Sequence, residues 1–314
     1  MEKWDRISFR GKYHYILATS SIVEAIKYYR LLKNNDKGLF VTALFDPHTD
    51  DPADPETAEN ELFKQDGVVE ILRDYGMKTG LMYRVGQHAS FKDDVCARLA
   101  HKKPYEDMDS NRNEAINIVI VVNQLLTGFD SKWINTLYLD KVLLYDQFIQ
   151  AVSRTNRLNG PDKQYGIVKY CRYPHFMAAA GLEALKAYVE TGYEEILAPS
   201  LGQNIISMNH DFAMIEQLFS QNGIGDFSAL PQNEADMKLF GKLFKNIRHY
   251  YYCSVPQLFS WDQKEYDRED AGKVVCNLDG ITYEKLYQRF REIPRSVQPG
   301  DDDNLDLKEN LTET

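Results

Sequence analysis

Residues 115–123, AINIVIVVN, are apolar at almost every position. Successive side chains of a strand point to opposite faces, so a strand with one wet face alternates apolar and polar residues. A strand that is apolar throughout must be covered on both faces. A parallel sheet between two helical layers does this. The run therefore limits the chain to an α/β architecture with this segment as a central strand.

Other segments fit the same sheet. YHYILA (13–18), GLFVTALF (38–45), TLYLD (136–140) and YGIVKYC (165–171) are expected strands. After the first, Ser21 and Glu24 have capping-box spacing, and Ile22, Ala25, Ile26, Tyr29 and Leu32 recur at helical intervals up to Asn34, Asn35 and Gly38. Helical periodicity returns over 59–75 and again over 90–101, with a connection at 76–90. Residues 46–61, DPHTDDPADPETAENE, cluster carboxylates. Their prolines and lack of flanking strands predict a solvated insertion rather than a metal site. Strands alternating with helices imply βαβ units. Ligands of such sheets bind beyond the C-terminal strand ends. That edge would carry both Thr19-Ser20-Ser21 and the segment Gln124 to Asp130.

After residue 175 the pattern becomes helical. The expected organisation is an α/β domain over 1–175, a mostly helical domain over 176–295 and an acidic, flexible tail over 296–314. The length of 314 residues suits two ordinary domains. A net charge of −10 argues against a generally basic nucleic-acid coat. It leaves room for a local groove in which N–H groups and hydroxyls hold phosphates. Cys96, Cys171, Cys253 and Cys276 form no C-x-x-C pair, so a zinc site has no support and dispersed thiols fit a reducing cytoplasm. No His pair has an i, i+4 metal spacing. No long apolar run or signal peptide is present, and no membrane role is expected.

Two segments could carry chemistry. In LLTGFD (125–130), Gly128 permits an unusual backbone angle or the close approach of a ligand. Thr127 can donate to a phosphate and Asp130 can accept from a ribose hydroxyl. Any strand-to-loop turn could read this way. On a helix expected over 147–156, with Asp146 as N-cap, Gln150, Arg154 and Arg157 stand at i, i+4 and i+7 and would share one face. Guanidinium groups on one stripe suit a polyanion. Alone, an ordinary amphipathic helix with surface arginines is the better explanation, and Ser20 and Ser21 alone are better explained as caps.

Together the segments resemble the second RecA-like domain of superfamily 2 helicases and translocases. ILATSS (16–21), VVNQLLTGFD (121–130) and QAVSRTNR (150–157) resemble that family's fourth, fifth and sixth motifs. Ser153 stands where the sixth motif has glycine. The string LLTGFDSKWINTLYLDK followed by FIQAVSRTNR is similar to the motor (R) subunit of type I restriction enzymes. The resemblance implies a RecA-like parallel sheet flanked by helices. It implies that Arg157 is an arginine finger on the γ-phosphate of ATP and Arg154 a second phosphate contact. Gln150 would position the nucleotide or attacking water, Gly128 and Asp130 would line the cleft, and Thr19, Ser20 and Thr127 would touch the DNA backbone. The implied partners are double-stranded DNA and the methyltransferase and specificity subunits of the same complex.

Two elements of a complete motor are missing from the sequence. No G-x-x-x-x-G-K-[ST] occurs, because the Gly-Lys pairs at 11–12, 241–242 and 272–273 do not continue into Ser or Thr. No apolar run ends in Asp-Glu, and Asp140 is followed by Lys141. ATP and Mg²⁺ would then be seated mainly by a first RecA-like domain. The resemblance places that domain and a nuclease domain earlier in the subunit. The chain is expected to be a C-terminal fragment that binds no cofactor tightly and is inactive alone. The acidic tail at 301–308 loosely mimics a nuclease pattern without strands to hold two carboxylates on one metal, and is read as coincidence. The alternatives are another superfamily 2 translocase, or a non-enzymatic module docking the methyltransferase core.

Overall fold

The computed structural model describes residues 4–34, 38–46, 57–108, 114–160, 162–188, 197–268 and 272–297. The chain divides into two compact units, residues 1–197 and 198–314.

The first unit is built on a five-stranded sheet. Its strands are β1 (His14–Thr19), β2 (Val41–Leu44), β3 (Ile118–Val121), β4 (Ile134–Asp140) and β5 (Ile167–Tyr170), in the order β2-β3-β1-β4-β5. All four pairings are parallel, with Ala18 beside Val121 on one side and Thr19 beside Asp140 on the other. Every residue of β1, β2 and β3 is buried, as apolar strands covered on both faces must be. The covering helices are α2 (Ile22–Leu32), α3 (Ala58–Thr79), α4 (His88–Ala100), α5 (Tyr145–Val152) and α6 (Pro174–Tyr188). A short helix, α1 (Trp4–Ile7), precedes β1. The architecture is RecA-like α/β.

Several local expectations shift. Ser21 caps α2, accepting from the Glu24 N–H, while the Glu24 carboxylate reaches back to the Ser20 N–H at 3.1 Å rather than to Ser21. The connection expected over 76–90 is shorter: α3 runs to Thr79 before a left-handed Gly80 ends it, and α4 starts at His88. The acidic insertion falls largely outside the described residues, apart from Asp46 and Thr57, the N-cap of α3, with the start of that helix. The acidic tail falls outside them from residue 298 onward. Helix α6 packs with the first unit: Met177 and Ala184 belong to its core, and Gly181 lies so close to Phe148 of α5 that a Cβ there would stand 2.7 Å from the ring.

At the N-terminal edge of the sheet, His14 is fully buried. Its Nδ1 lies 2.6 Å from the Ile116 carbonyl and its Nε2 lies 2.9 Å from Nε2 of His101, which stacks on Trp133. Nearby, buried Arg98 donates to Asp94, Tyr105 and Glu114, while Tyr75 and Tyr105 both donate to Asp94.

The second unit is mostly helical: α7 (Leu201–Gln221), α8 (Glu234–Ser254) and α9 (Gly280–Glu292). Side-chain caps from Ser200, Asn233 and Asp279 satisfy their first N–H groups. Ile215, Phe219, Phe240, Phe244, Ile247 and Leu286 form its core. A two-stranded antiparallel ribbon, β6 (Glu265–Asp267) and β7 (Lys273–Val275), adds strand structure that the helical pattern does not announce. Tyr251, within the tyrosine run, stacks on Trp261 and meets Phe259 edge-on.

Candidate functional site

The parallel strands bring three connections to one edge of the sheet. They follow β1, β3 and β4, and the chain leaving β5 joins them. Lys141, just after β4, reaches across to the Val122 carbonyl at 2.9 Å and to Asn123 at 2.8 Å. Arg172, just after β5, donates to Glu24 at 2.8 Å and to Asp140 at 3.4 Å, and Tyr28 donates to Asp140 at 2.8 Å. Glu24 and then Asp140 hold the Arg172 guanidinium firmly charged. This edge is therefore a cross-linked rim rather than a set of independent loops. Sequence reading missed Lys141, Arg172 and Tyr28. The available signal was a charged residue directly after each of two strands.

From this rim the turn after β3 carries the first candidate segment. Leu125 is buried with φ of 64° and Gly128 has φ of 70°, so the chain reverses twice through the left-handed region. Only Gly128 does so without a side-chain penalty, and it leaves Thr127 and itself exposed at the tip. Asp130 follows, and its carboxylate accepts from Arg157 Nε at 2.9 Å.

The second segment departs from its expected form. α5 begins at Tyr145 with Leu144 as N-cap and no side-chain cap, so Asp146 lies inside the first turn. The helix ends at Val152. Arg154 and Arg157 lie beyond it, and the helical face that would align them with Gln150 does not form. A turn replaces it. Arg154 donates to the main-chain oxygens of Gln150 and Phe129, and to Ser153 Oγ. Thr155 packs so tightly on β5's approach that a Cβ on Gly166 would stand 2.7 Å from its carbonyl carbon. The arginines thus converge on the Phe129–Asp130 turn through backbone folding. The Gln150 side chain is exposed.

Lys163, also missed in the sequence, joins these two turns. It is 2% exposed, and its ammonium donates to the carbonyls of Lys132 (3.0 Å) and Arg157 (2.5 Å). Burial pushes its pKa down to about 7, against a smaller opposing effect of Asp130.

Of the residues expected to touch DNA, Thr127 is exposed and Ser20 is half-buried, its hydroxyl donating to the Asp140 carbonyl at 3.2 Å. Thr19 is fully buried, with its hydroxyl committed to the carbonyls of Ser21 and Val121, so it offers no hydroxyl to solvent in this conformation. Among the described residues, no group of three or more His, Cys, Asp or Glu side chains could hold a metal ion. Among them, too, no helix is long and apolar enough to cross a membrane.

The arrangement is a pair of guanidinium groups beside an acidic turn, one exposed and one tied down. An exposed ion pair such as Arg157–Asp130 contributes about 0–1 kcal/mol, so Arg157 can exchange Asp130 for a competing anion at small cost. Arg154, tied to three acceptors, is the fixed member.

Comparison with known proteins gives the family. Residues 11–173, more than half of the chain, match the family described as type I restriction enzyme subunit R domain 3, and the chain belongs to that family. Among its relatives is the type I restriction enzyme SauMRSORF196P endonuclease subunit of Staphylococcus aureus (strain MRSA252), 34% identical over 173 residues, which are 53% of this chain and 17% of that protein. The SsaAORF53P endonuclease subunit of Staphylococcus saprophyticus is 32% identical over 174 residues, 54% of this chain and 18% of that subunit. The putative MjaVIIP endonuclease subunit of Methanocaldococcus jannaschii is 45% identical over 56 residues, 18% of this chain and 5% of that subunit. The matched stretch thus spans less than a fifth of each of these relatives.

Proposed function

We propose that the chain supplies the second RecA-like domain, and the helical domain beyond it, of the motor and endonuclease (R) subunit of a type I restriction enzyme. In this reading it serves the ATP-dependent translocation on double-stranded DNA that precedes cleavage. The observation that carries the reading is the convergence of Arg154 and Arg157 on the Phe129–Asp130 turn at the C-terminal edge of a parallel sheet. That edge is where α/β sheets bind ligands.

Arg157 is the arginine finger. It leaves Asp130 to meet the charge that develops on the transferred phosphoryl group, and Arg154 holds the turn and adds a second phosphate contact. Gly128 and Asp130 line the cleft and Gln150 positions the nucleotide or water. Ser20 and Thr127 contact the DNA backbone, and Thr19 acts by fixing the loop beneath them. Because the sequence carries no G-x-x-x-x-G-K-[ST], ATP and Mg²⁺ are assigned mainly to a first RecA-like domain of the subunit, and the 314 residues alone are expected to bind ATP weakly and hydrolyse none. The methyltransferase and specificity subunits are the expected protein partners.

The test is ATP hydrolysis by the full subunit reconstituted with its partners, with and without DNA. Arg157→Ala should lower the DNA-stimulated rate by on the order of 10³–10⁵. An unchanged rate would reduce Arg157 to a surface arginine and favour a docking role instead.

A further inference from the structure

We infer that Lys163 is the positioning residue of the arginine finger: its side chain fastens the backbone of Arg157 to the turn that carries Asp130. The inference rests on the motor reading and adds a residue that none of the motif-like segments contains.

Two surfaces need alignment for the finger to act. One is the post-helix turn over 153–157, which has left α5 and is held from Arg154 through Asn156 by single-turn main-chain bonds of the i→i−3 kind. The other is the turn over 125–132, which makes two left-handed reversals. The side-chain links between them are Arg154 to the Phe129 carbonyl and Arg157 to Asp130. The second must break when Arg157 turns to a phosphate. A link that survives the movement has to hold the Arg157 main chain, leaving its side chain free. Lys163 does this by donating to the Arg157 carbonyl, while its second bond, to the Lys132 carbonyl, anchors the other turn.

The choice of residue is informative. A buried ammonium is costly, and a neutral side chain that only filled this space would be cheaper. An ammonium donates in several directions from one atom, so it can serve carbonyls from two segments at once. In its ammonium form it also places positive charge near Asp130, whose carboxylate loses its partner when Arg157 departs. Gly166 supports the same joint by letting Thr155 approach within a distance that a side chain would forbid.

The experiment is a double-mutant cycle in the full subunit with its partners, reading DNA-stimulated ATP hydrolysis for Lys163→Met, Arg157→Ala and both together. A misplacement of about 1 Å can cost on the order of a hundredfold. Lys163→Met should therefore lower kcat roughly ten- to a hundredfold, with KM for ATP little changed. Added to Arg157→Ala, it should cause no further loss, because there is no finger left to position. If Lys163→Met does not fold, Lys163→Gln, which keeps one donor, takes its place in the cycle. Wild-type kcat in the folded Lys163 variant overturns the inference. So does a loss that multiplies undiminished onto Arg157→Ala, since that marks a merely structural lysine. The parent reading fails by a different sign, a wild-type rate in Arg157→Ala alone.

Discussion

Acidification should destabilise the α/β unit through His14. The Nδ1 bond to the Ile116 carbonyl requires a proton on Nδ1, so Nε2 carries the lone pair and accepts from His101. A second proton on this ring has no water to face. Burial first, and then the neighbouring His101, push its pKa from the ordinary 6.5 down to about 3, with the Ile116 carbonyl acting the other way. In the unfolded chain His14 titrates near 6.5. Between these values the unfolded state holds one more proton than the folded state, so stability is full above pH 6.5 and falls as pH is lowered. The slope approaches ~1.4 kcal/mol per pH unit, which gives about 2 kcal/mol between pH 6.5 and pH 5. The assay is urea unfolding of the wild type and His14→Asn at pH 7, 6 and 5. The variant should be less stable at pH 7 by roughly 1–3 kcal/mol, having left His101 without its acceptor. Its disadvantage should then shrink by about 2 kcal/mol on acidification, because the asparagine takes up no proton on unfolding. Ring nitrogen shifts of His14 should stay flat down to pH 5. Parallel stability curves, or a His14 ring that titrates near its ordinary value, would refute the argument.

Two further substitutions test the packing that positions the site. Gly166→Ala places a Cβ within 2.7 Å of the Thr155 backbone and should destabilise by roughly 1–3 kcal/mol; in the full subunit it should also lower DNA-stimulated hydrolysis, read by the same assay as Arg157→Ala. Arg98→Met leaves the Asp94 carboxylate with its tyrosine donors but without its buried cation. A loss of about 3–5 kcal/mol in urea unfolding is expected, with partial recovery when Asp94→Asn is added.

The parallel sheet was legible because its signal is one of hydrophobicity along the chain. Strands buried on both faces announce themselves as AINIVIVVN does. Caps were legible where a side chain bonds two or three residues away, as Ser21 does. The site was half legible. Its segments could be found, but their relation could not be read from helical spacing, because α5 stops before Arg154 and a turn does the aligning. Asp146 has the right residue type for a cap, yet Leu144 occupies the position. Lys163 was invisible for a physical reason. It lies in NGPDKQYG, whose composition is that of a wet loop, and its two carbonyl partners lie outside that stretch, one of them 31 residues away. The β6–β7 ribbon was hidden by the shortness of its strands.

The strand order also sets a timetable for synthesis. β1 lies in the middle of the sheet, but both its neighbours come later in the chain: Tyr15 pairs with Ile118 and Thr136. Among the described residues β2 sits at an edge and pairs only with β3. No local hairpin can shelter either strand meanwhile. At ribosomal rates the wait for β3 is on the order of ten seconds, during which two apolar segments remain open to misassociation. High contact order of this kind slows folding. The first third of the chain is therefore where a chaperone would be needed. Its release coincides with the emergence of β3 and the turn behind it, so the segment that bears the candidate chemistry is also the one that joins β1 and β2.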